Sequence, residues 1–69
     1  MTYEINLKVF DAKYHLTGDS LRILSKQVIE ILEQDRNKFS DQAIKFVKQQ
    51  RLFFRIDRSH VITCEMNKL

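Results

Sequence analysis

Few side chains in this sequence could carry out covalent chemistry, and their spacing argues against it. The one cysteine, Cys64, follows His60 by four residues, and a nucleophilic thiol needs a histidine within hydrogen-bond reach. Four residues of a β-strand span about 13 Å, so a His60–Cys64 pair fails on distance. We expect Cys64 to be a small buried apolar residue and His60 to lie at the end of a turn.

Other catalytic and metal-binding groups are also sparse. His15 has no partner close to it in sequence, and Glu30 and Glu33 fall on the polar side of a predicted helix. A phosphate-binding loop needs several glycines, and Gly18 is the only one. A structural zinc site needs four ligands, more than two histidines and one cysteine supply. The sequence therefore predicts no enzyme, metal, cofactor or small-molecule substrate, and we expect a binding or regulatory protein.

Aromatic and basic side chains form the most suggestive set. From two-residue alternation and from the positions that flank the last hairpin, we predict a binding surface on the sheet face away from the helices. Its residues are Phe10, Phe53, Arg51, Arg55, Arg58, Lys8 and Val61. Clustered exposed apolar residues mark interfaces, and aromatics with arginine are enriched where proteins meet. We favour a protein partner or a second copy of the chain. One alternative is RNA or single-stranded DNA stacked on the rings. The other has no binding role: the chain's own tail covers Phe10 or Phe53, or the sheet is buried on both faces.

Charge is distributed unevenly along the sequence. The net charge is +3, but residues 36–58 carry seven basic and two acidic side chains, a net +5, whereas residues 1–35 carry a net −2 from four basic and six acidic ones. This asymmetry favours an acidic partner or nucleic acid. The plainer interpretation is an ordinary solvated basic face.

A winged-helix protein is one version of the nucleic-acid alternative. The last hairpin would be the wing, and Lys45, Lys48 and Arg51 near the end of the second helix would face DNA. The connection between the helices lacks the glycine usual in such a turn, which counts against this version.

Strands at both ends of the chain must position these residues. Residues 2–10 alternate as a half-buried strand, residues 11–13 are a predicted turn, and residues 14–16 a short return strand. Residues 52–66 predict a β-hairpin. A three-residue loop at 57–59 pairs Ile56 with His60, and this register puts one set of apolar residues on a common face. These are Leu52, Phe54, Ile56, Ile62 and Cys64.

Two amphipathic helices lie between the strands. Thr17 is the predicted N-cap of the first helix and Ser40 that of the second, and residues 34–37 should end the first. Apolar residues recur at helical spacing. In the first helix they are Leu21, Leu24, Val28, Ile31 and Leu32, and in the second Ala43, Ile44, Phe46 and Val47.

These elements predict one α+β domain over residues 1–69, in the order β-(β)-α-α-β-β. The N-terminal strand and the C-terminal hairpin form a small antiparallel sheet, and both helices pack on one face of it. So short a chain buries only about 60% of its unfolded surface, which favours a dimer or a permanent partner. The single cysteine, the absence of a signal-peptide pattern and the absence of a long apolar run predict a cytoplasmic protein without a membrane segment.

Overall fold

A computed structural model describes residues 1–69 and contains a four-stranded antiparallel sheet with two helices packed against one face. The elements are β1 (Tyr3–Val9), β2 (Ala12–Gly18), α1 (Leu21–Glu33), α2 (Lys38–Lys48), β3 (Phe53–Ile56) and β4 (Ile62–Lys68). The predicted class and element order are confirmed. Neither helix is long and apolar enough to cross a membrane.

The first and last strands of the chain pair with each other at the centre of the sheet. The strand order is β2-β1-β4-β3, and β1 pairs with β4 from Tyr3 opposite Lys68 to Val9 opposite Ile62. Each hairpin therefore contributes one central strand and one edge strand. The shared sheet was predicted, whereas this order was not, because nothing local in the sequence encodes a pairing between its two ends.

One cluster of thirteen buried side chains fills the space between the sheet and the helices. The inner face of the sheet contributes residues spaced by two, and the helices contribute residues spaced by three or four, as the periodicities predict. From α1 the buried residues are Leu24, Val28 and Leu32, and from α2 they are Ala43, Val47, Ile44 and Ser40. Leu21 and Ile31 are only partly buried.

Both predicted N-caps are wrong. Thr17 belongs to β2, which continues to Gly18 opposite Tyr3, and α1 is capped by Ser20, whose hydroxyl accepts the Ile23 N–H at 3.4 Å. The strand continues because its backbone groups pair with β1, which satisfies more donors and acceptors than an earlier cap would.

The second helix begins three residues earlier than predicted. Asn37 is its N-cap, and its side-chain oxygen accepts the N–H groups of Phe39 and Ser40 at 2.9 and 3.1 Å. Ser40 is buried within the first turn, and its hydroxyl donates to the carbonyl of Asp35 at 3.1 Å. Asparagine and serine both cap helices well, so residue type alone does not choose between them.

The turns also differ from the predictions. The first hairpin turns at Phe10 and Asp11 rather than at residues 11–13, and Phe10 has a left-handed φ of 53°. In the second hairpin Ile56 pairs with Ile62 rather than with His60, across a five-residue loop. The register is thus shifted by two residues. A shift of two leaves every side chain on the same face, so the predicted buried set is still confirmed.

Candidate functional site

The outer face of the sheet carries no helix, and a row of four residues, one from each strand, crosses it. Arg55 lies opposite Thr63, Thr63 opposite Lys8, and Lys8 opposite Lys13. With strands about 4.8 Å apart, this row spans about 14 Å. Three of its four residues are cationic. The row is defined by residues 8, 13, 55 and 63 and is called the basic row.

A second row lies beside it and supplies the only large exposed aromatic ring of this face. Phe53 lies opposite Glu65, which lies opposite Asn6, and Asn6 lies opposite His15. The Phe53 side chain is 63% exposed. A shallow groove of about 410 Å³ covers both rows. The outer face therefore combines an apolar contact at one edge with a line of positive charge.

Acidic side chains on this face are held by neighbours in the sheet. The Glu4 carboxylate lies 2.9 Å from the His15 ring nitrogen Nε2, and this hydrogen bond lowers the pKa of Glu4. Asn67 donates to Glu4 at 3.3 Å and to Glu65 at 3.4 Å. The carboxylates thus contact His15 and Asn67 rather than the basic row.

The cations of the basic row have no acidic partner. The two ion pairs in the protein are His15–Glu4 and Arg36–Asp41. Lys8 donates to the carbonyl of His60 at 3.1 Å, a contact that orients the ammonium without neutralising it. The row therefore presents net positive charge to a partner.

Three of the predicted binding residues come together on this face: Phe53, Arg55 and Lys8 all line the groove. Lys13 also lines the groove. It was not among the predicted binding residues, because residue 13 was assigned to a turn. Lys13 instead lies in β2, and the two-residue alternation of that strand would have found it had the turn been placed correctly.

The prediction that Phe10 and Val61 lie on the outer face is wrong. The Phe10 ring packs edge-on against Phe39 of α2, with ring centroids 6.3 Å apart, and is 39% exposed. Val61 is partly buried against the core, and its carbonyl accepts the Phe10 N–H at 2.7 Å. The left-handed backbone at Phe10 ends the alternation, so its ring turns toward the helices.

The remaining predicted binding residues also lie away from the basic row. Arg51 follows α2, and its guanidinium stacks over Phe46 with 4.8 Å between the guanidinium carbon and the ring centroid. Arg58 is exposed in the loop at residues 57–61. The last hairpin does not project as a wing, because β4 pairs with β1 along its length.

The groups first considered for chemistry are occupied by structural contacts. Cys64 is 2% exposed, its thiol donates to the Leu52 carbonyl at 3.5 Å, and burial raises its pKa to about 12. At neutral pH the thiol is therefore protonated and a poor nucleophile. In the neighbouring loop the Ser59 hydroxyl donates to Asp57 at 2.8 Å, which lowers the pKa of Asp57. No cluster of three or more His, Cys, Asp or Glu side chains could hold a metal ion.

A second groove, on the helix side of the sheet, was not anticipated. Its rim includes Arg22, Lys26 and Lys48. The signal for it is present in the sequence, since Arg22 and Lys26 are four residues apart beside an apolar stripe. The pair was overlooked because the charge was summed over residues 1–35, where acidic residues outnumber basic ones and the net charge is −2.

Comparison of the chain with protein-family models, with curated proteins and with solved structures found no match. Function is therefore inferred from the chemistry of the surfaces themselves.

Proposed function

We propose that this chain is a non-enzymatic intracellular binding protein that takes an acidic segment of a protein partner on its outer sheet face. The observation that supports this most is the basic row lying beside the exposed ring of Phe53. Carboxylates of a partner would meet Arg55, Lys8 and Lys13, and an apolar side chain would cover Phe53. The free, buried thiol of Cys64 fits a reducing compartment.

Contact chemistry supports a protein partner over nucleic acid. Sheets that bind single-stranded RNA stack two or three bases on aromatic rings, and this face offers one ring because Phe10 lies in the turn. Aromatic residues, phenylalanine included, and arginine are both enriched at protein interfaces relative to the rest of the surface. Phe53 and Arg55 are such a pair, two residues apart on β3 and both exposed.

Charge also distinguishes an acidic partner from a second copy of the chain. A two-fold dimer uses the same patch on both subunits. Two copies meeting through this face would bring two basic rows into one interface, and like charges across an interface are costly. An acidic partner turns the same row into favourable contacts and speeds association through electrostatic steering.

Nucleic acid is the second candidate, because three cations in a line about 14 Å long also suit a phosphate backbone. Phosphate contacts release counterions, so such binding must weaken steeply as salt rises. Filter binding to mixed RNA and DNA at low and physiological salt separates the two candidates. Retention at low salt that the basic row controls would favour nucleic acid over a protein partner.

Affinity capture from the cells that make the protein tests the proposal, with and without nuclease. The informative variant is Lys13→Glu with Arg55→Glu, which reverses the charge at both ends of the basic row. We expect nuclease-resistant capture of an acidic protein, weakened at least about tenfold by this variant, which corresponds to about 1.4 kcal/mol.

The matched control is Lys45→Glu with Lys68→Glu, which changes the net charge equally at two exposed lysines outside both grooves. This control should capture the partner as the unaltered protein does. A third variant, Phe53→Ser, should weaken capture without changing the circular dichroism spectrum. Equal capture by the basic-row variant and the control would contradict the proposal. A partner lost on nuclease treatment would favour the nucleic-acid candidate.

A further inference from the structure

The second groove lies on the helix-bearing side of the sheet, where α1 begins and α2 ends, and has a volume of about 440 Å³. Leu52 and Met66 contribute from the sheet side, and Leu21, Ile29 and Val47 from the helices. The groove lies on the opposite side of the sheet from the basic row. The two surfaces share one residue, Phe53, at the β3 edge.

This groove forms because the helices cover the core incompletely at the end of the domain where α1 begins and α2 ends. The first β3–β4 pair is Phe53 with Glu65, so Met66 lies one position beyond the end of β3. The last helical residue of α2 is Lys48. Leu21, Ile29 and Met66 are consequently only partly buried although they pack against the core. Apolar side chains thus reach the surface in a concave site of the size that holds ligands.

The rim of the groove is positive on both sides. Arg22 and Lys26 lie one helical turn apart on α1, and Lys48 lies across from them in the last turn of α2. None of the three is in an ion pair, and no acidic residue lines the groove. The two acidic residues that flank the α1 cations in sequence, Asp19 and Glu30, lie outside the lining.

We infer that this groove binds an acidic amphipathic helix of a partner protein. A helix docked in a groove inserts apolar side chains at positions i, i+3 or i+4, and i+7. From Arg22 to Ile29 the α1 wall rises by seven residue steps, about 10.5 Å at 1.5 Å per step, which matches the rise from i to i+7 of a docked helix. Acidic residues flanking its apolar stripe would meet Arg22 and Lys26 on one side and Lys48 on the other.

The occupant is a helix, rather than one anionic small molecule, because the charge lies on both walls of the groove. A single carboxylate reaches one wall, whereas a helix with acidic residues on both sides of its stripe reaches both. This inference uses cations different from those of the basic row, so it does not rest on the proposed function of the outer face.

A synthetic peptide provides the test. The probe is a helix-forming peptide of about 18 residues, above the length at which isolated helices are marginal, with leucine at i, i+3, i+4 and i+7 and glutamate on both flanks. It is titrated into the ¹⁵N-labelled chain of residues 1–69, and binding is followed by NMR. We expect amide shifts centred on Lys26, Leu52 and Met66. A peptide with lysine in place of glutamate should bind at least about tenfold more weakly.

Two charge-reversed variants of the protein locate the site. Lys26→Glu with Lys48→Glu should weaken peptide binding at least about tenfold. Lys45→Glu with Lys68→Glu has the same net charge and should bind as the unaltered chain does. Lys13→Glu with Arg55→Glu should also leave peptide binding unchanged, so the groove and the outer face are tested separately.

Several results would overturn the inference. They are an absence of shifts at the groove residues, equal binding of the lysine and glutamate peptides, equal weakening by the groove variant and its charge-matched control, or shifts confined to outer-face residues such as Asn6 and Thr63. Each variant is first checked by its amide spectrum, so that a loss of fold is not read as a loss of binding.

Discussion

The inner and outer faces of the sheet are built from alternate residues of the same four strands, yet they do different things. Phe53 and Phe54 show the contrast most directly. The two rings are adjacent in sequence, but Phe53 is 63% exposed whereas Phe54 is 6% exposed and lies 5.4 Å from the Phe46 ring, centroid to centroid. One ring stabilises the core, and the other is free to contact a partner.

This contrast shows how a short chain separates the side chains that stabilise its core from those that it exposes. Successive side chains of a strand point to opposite faces, so residues of one face can change without disturbing the packing of the other. The cations of the basic row lie on the outer face, and none of them belongs to the buried core. Substitutions on the two faces should therefore differ in kind, with loss of folding on the inner face and changed binding or titration on the outer one.

The largest expected effect comes from truncating the two phenylalanines. Phe54→Ala should lower the free energy of unfolding by roughly 3–5 kcal/mol, since it removes buried area and leaves a cavity. Phe53→Ala should change it by less than about 0.5 kcal/mol. Urea unfolding followed by circular dichroism measures both.

A chain of this size has a total stability of only about 3–10 kcal/mol, so Phe54→Ala could leave the chain largely unfolded. Phe54→Leu, with an expected loss of about 1–2 kcal/mol, keeps the comparison measurable. Equal losses for Phe53→Ala and Phe54→Ala would show that the two faces are not energetically distinct.

A smaller, pH-dependent effect is expected from the inner-face thiol. Burial raises the pKa of Cys64 from its ordinary value of 9.0 to about 12. Above pH 9 the unfolded chain loses the thiol proton while the folded chain keeps it, so the thiol favours unfolding as the pH rises toward 12. Below pH 9 it has no such effect.

Comparison of unfolding curves for the unaltered chain and Cys64→Ala isolates this effect from the titration of tyrosines and lysines. The unaltered chain should lose stability more steeply between pH 9 and 12. Parallel loss in the two proteins over that range would mean that the thiol ionises as readily in the folded chain as in the unfolded one.

The smallest expected effect lies on the outer face, at the pair of Glu4 and His15. The hydrogen bond from His15 is the main cause of the lowered pKa of Glu4. In His15→Ala the pKa of Glu4 should rise toward its ordinary 4.5, as measured by the carboxyl carbon signal in an acid NMR titration. Because the folded pKa is lowered, the pair stabilises the fold above pH 4.5, and this contribution is lost as the pH falls through the folded pKa.

Thr17→Ala is the control for this titration, since Thr17 lies opposite Glu4 on the same face without a side-chain hydrogen bond to it. It should leave the pKa of Glu4 unchanged. If His15→Ala also left it unchanged, Asn67, the other side chain that donates to Glu4, would be the one that lowers it.

The candidate site could be predicted from sequence only where alternation continued without interruption. Phe53, Arg55 and Lys8 lie within regular strands, and their outer-face position followed from period two alone. Phe10 and Val61 lie at strand ends, where the backbone turns left-handed: φ is 53° at Phe10 itself and 52° at His60, the residue before Val61, so the same counting failed. Lys13 was missed for the same reason, because the turn was placed one to two residues too late.

The sequence by itself determined which segments are helical, which are extended and which face of each regular segment is buried, because these properties depend on side chains two to four residues apart. Only the tertiary structure decided the caps, the hairpin register, the pairing of β1 with β4 and the two basic surfaces. These depend on how residues far apart in the chain come together, such as Val9 opposite Ile62 in the sheet, or Lys26 and Lys48 lining the same groove. Several local arrangements satisfy the same pattern, and packing against the rest of the fold selects one of them.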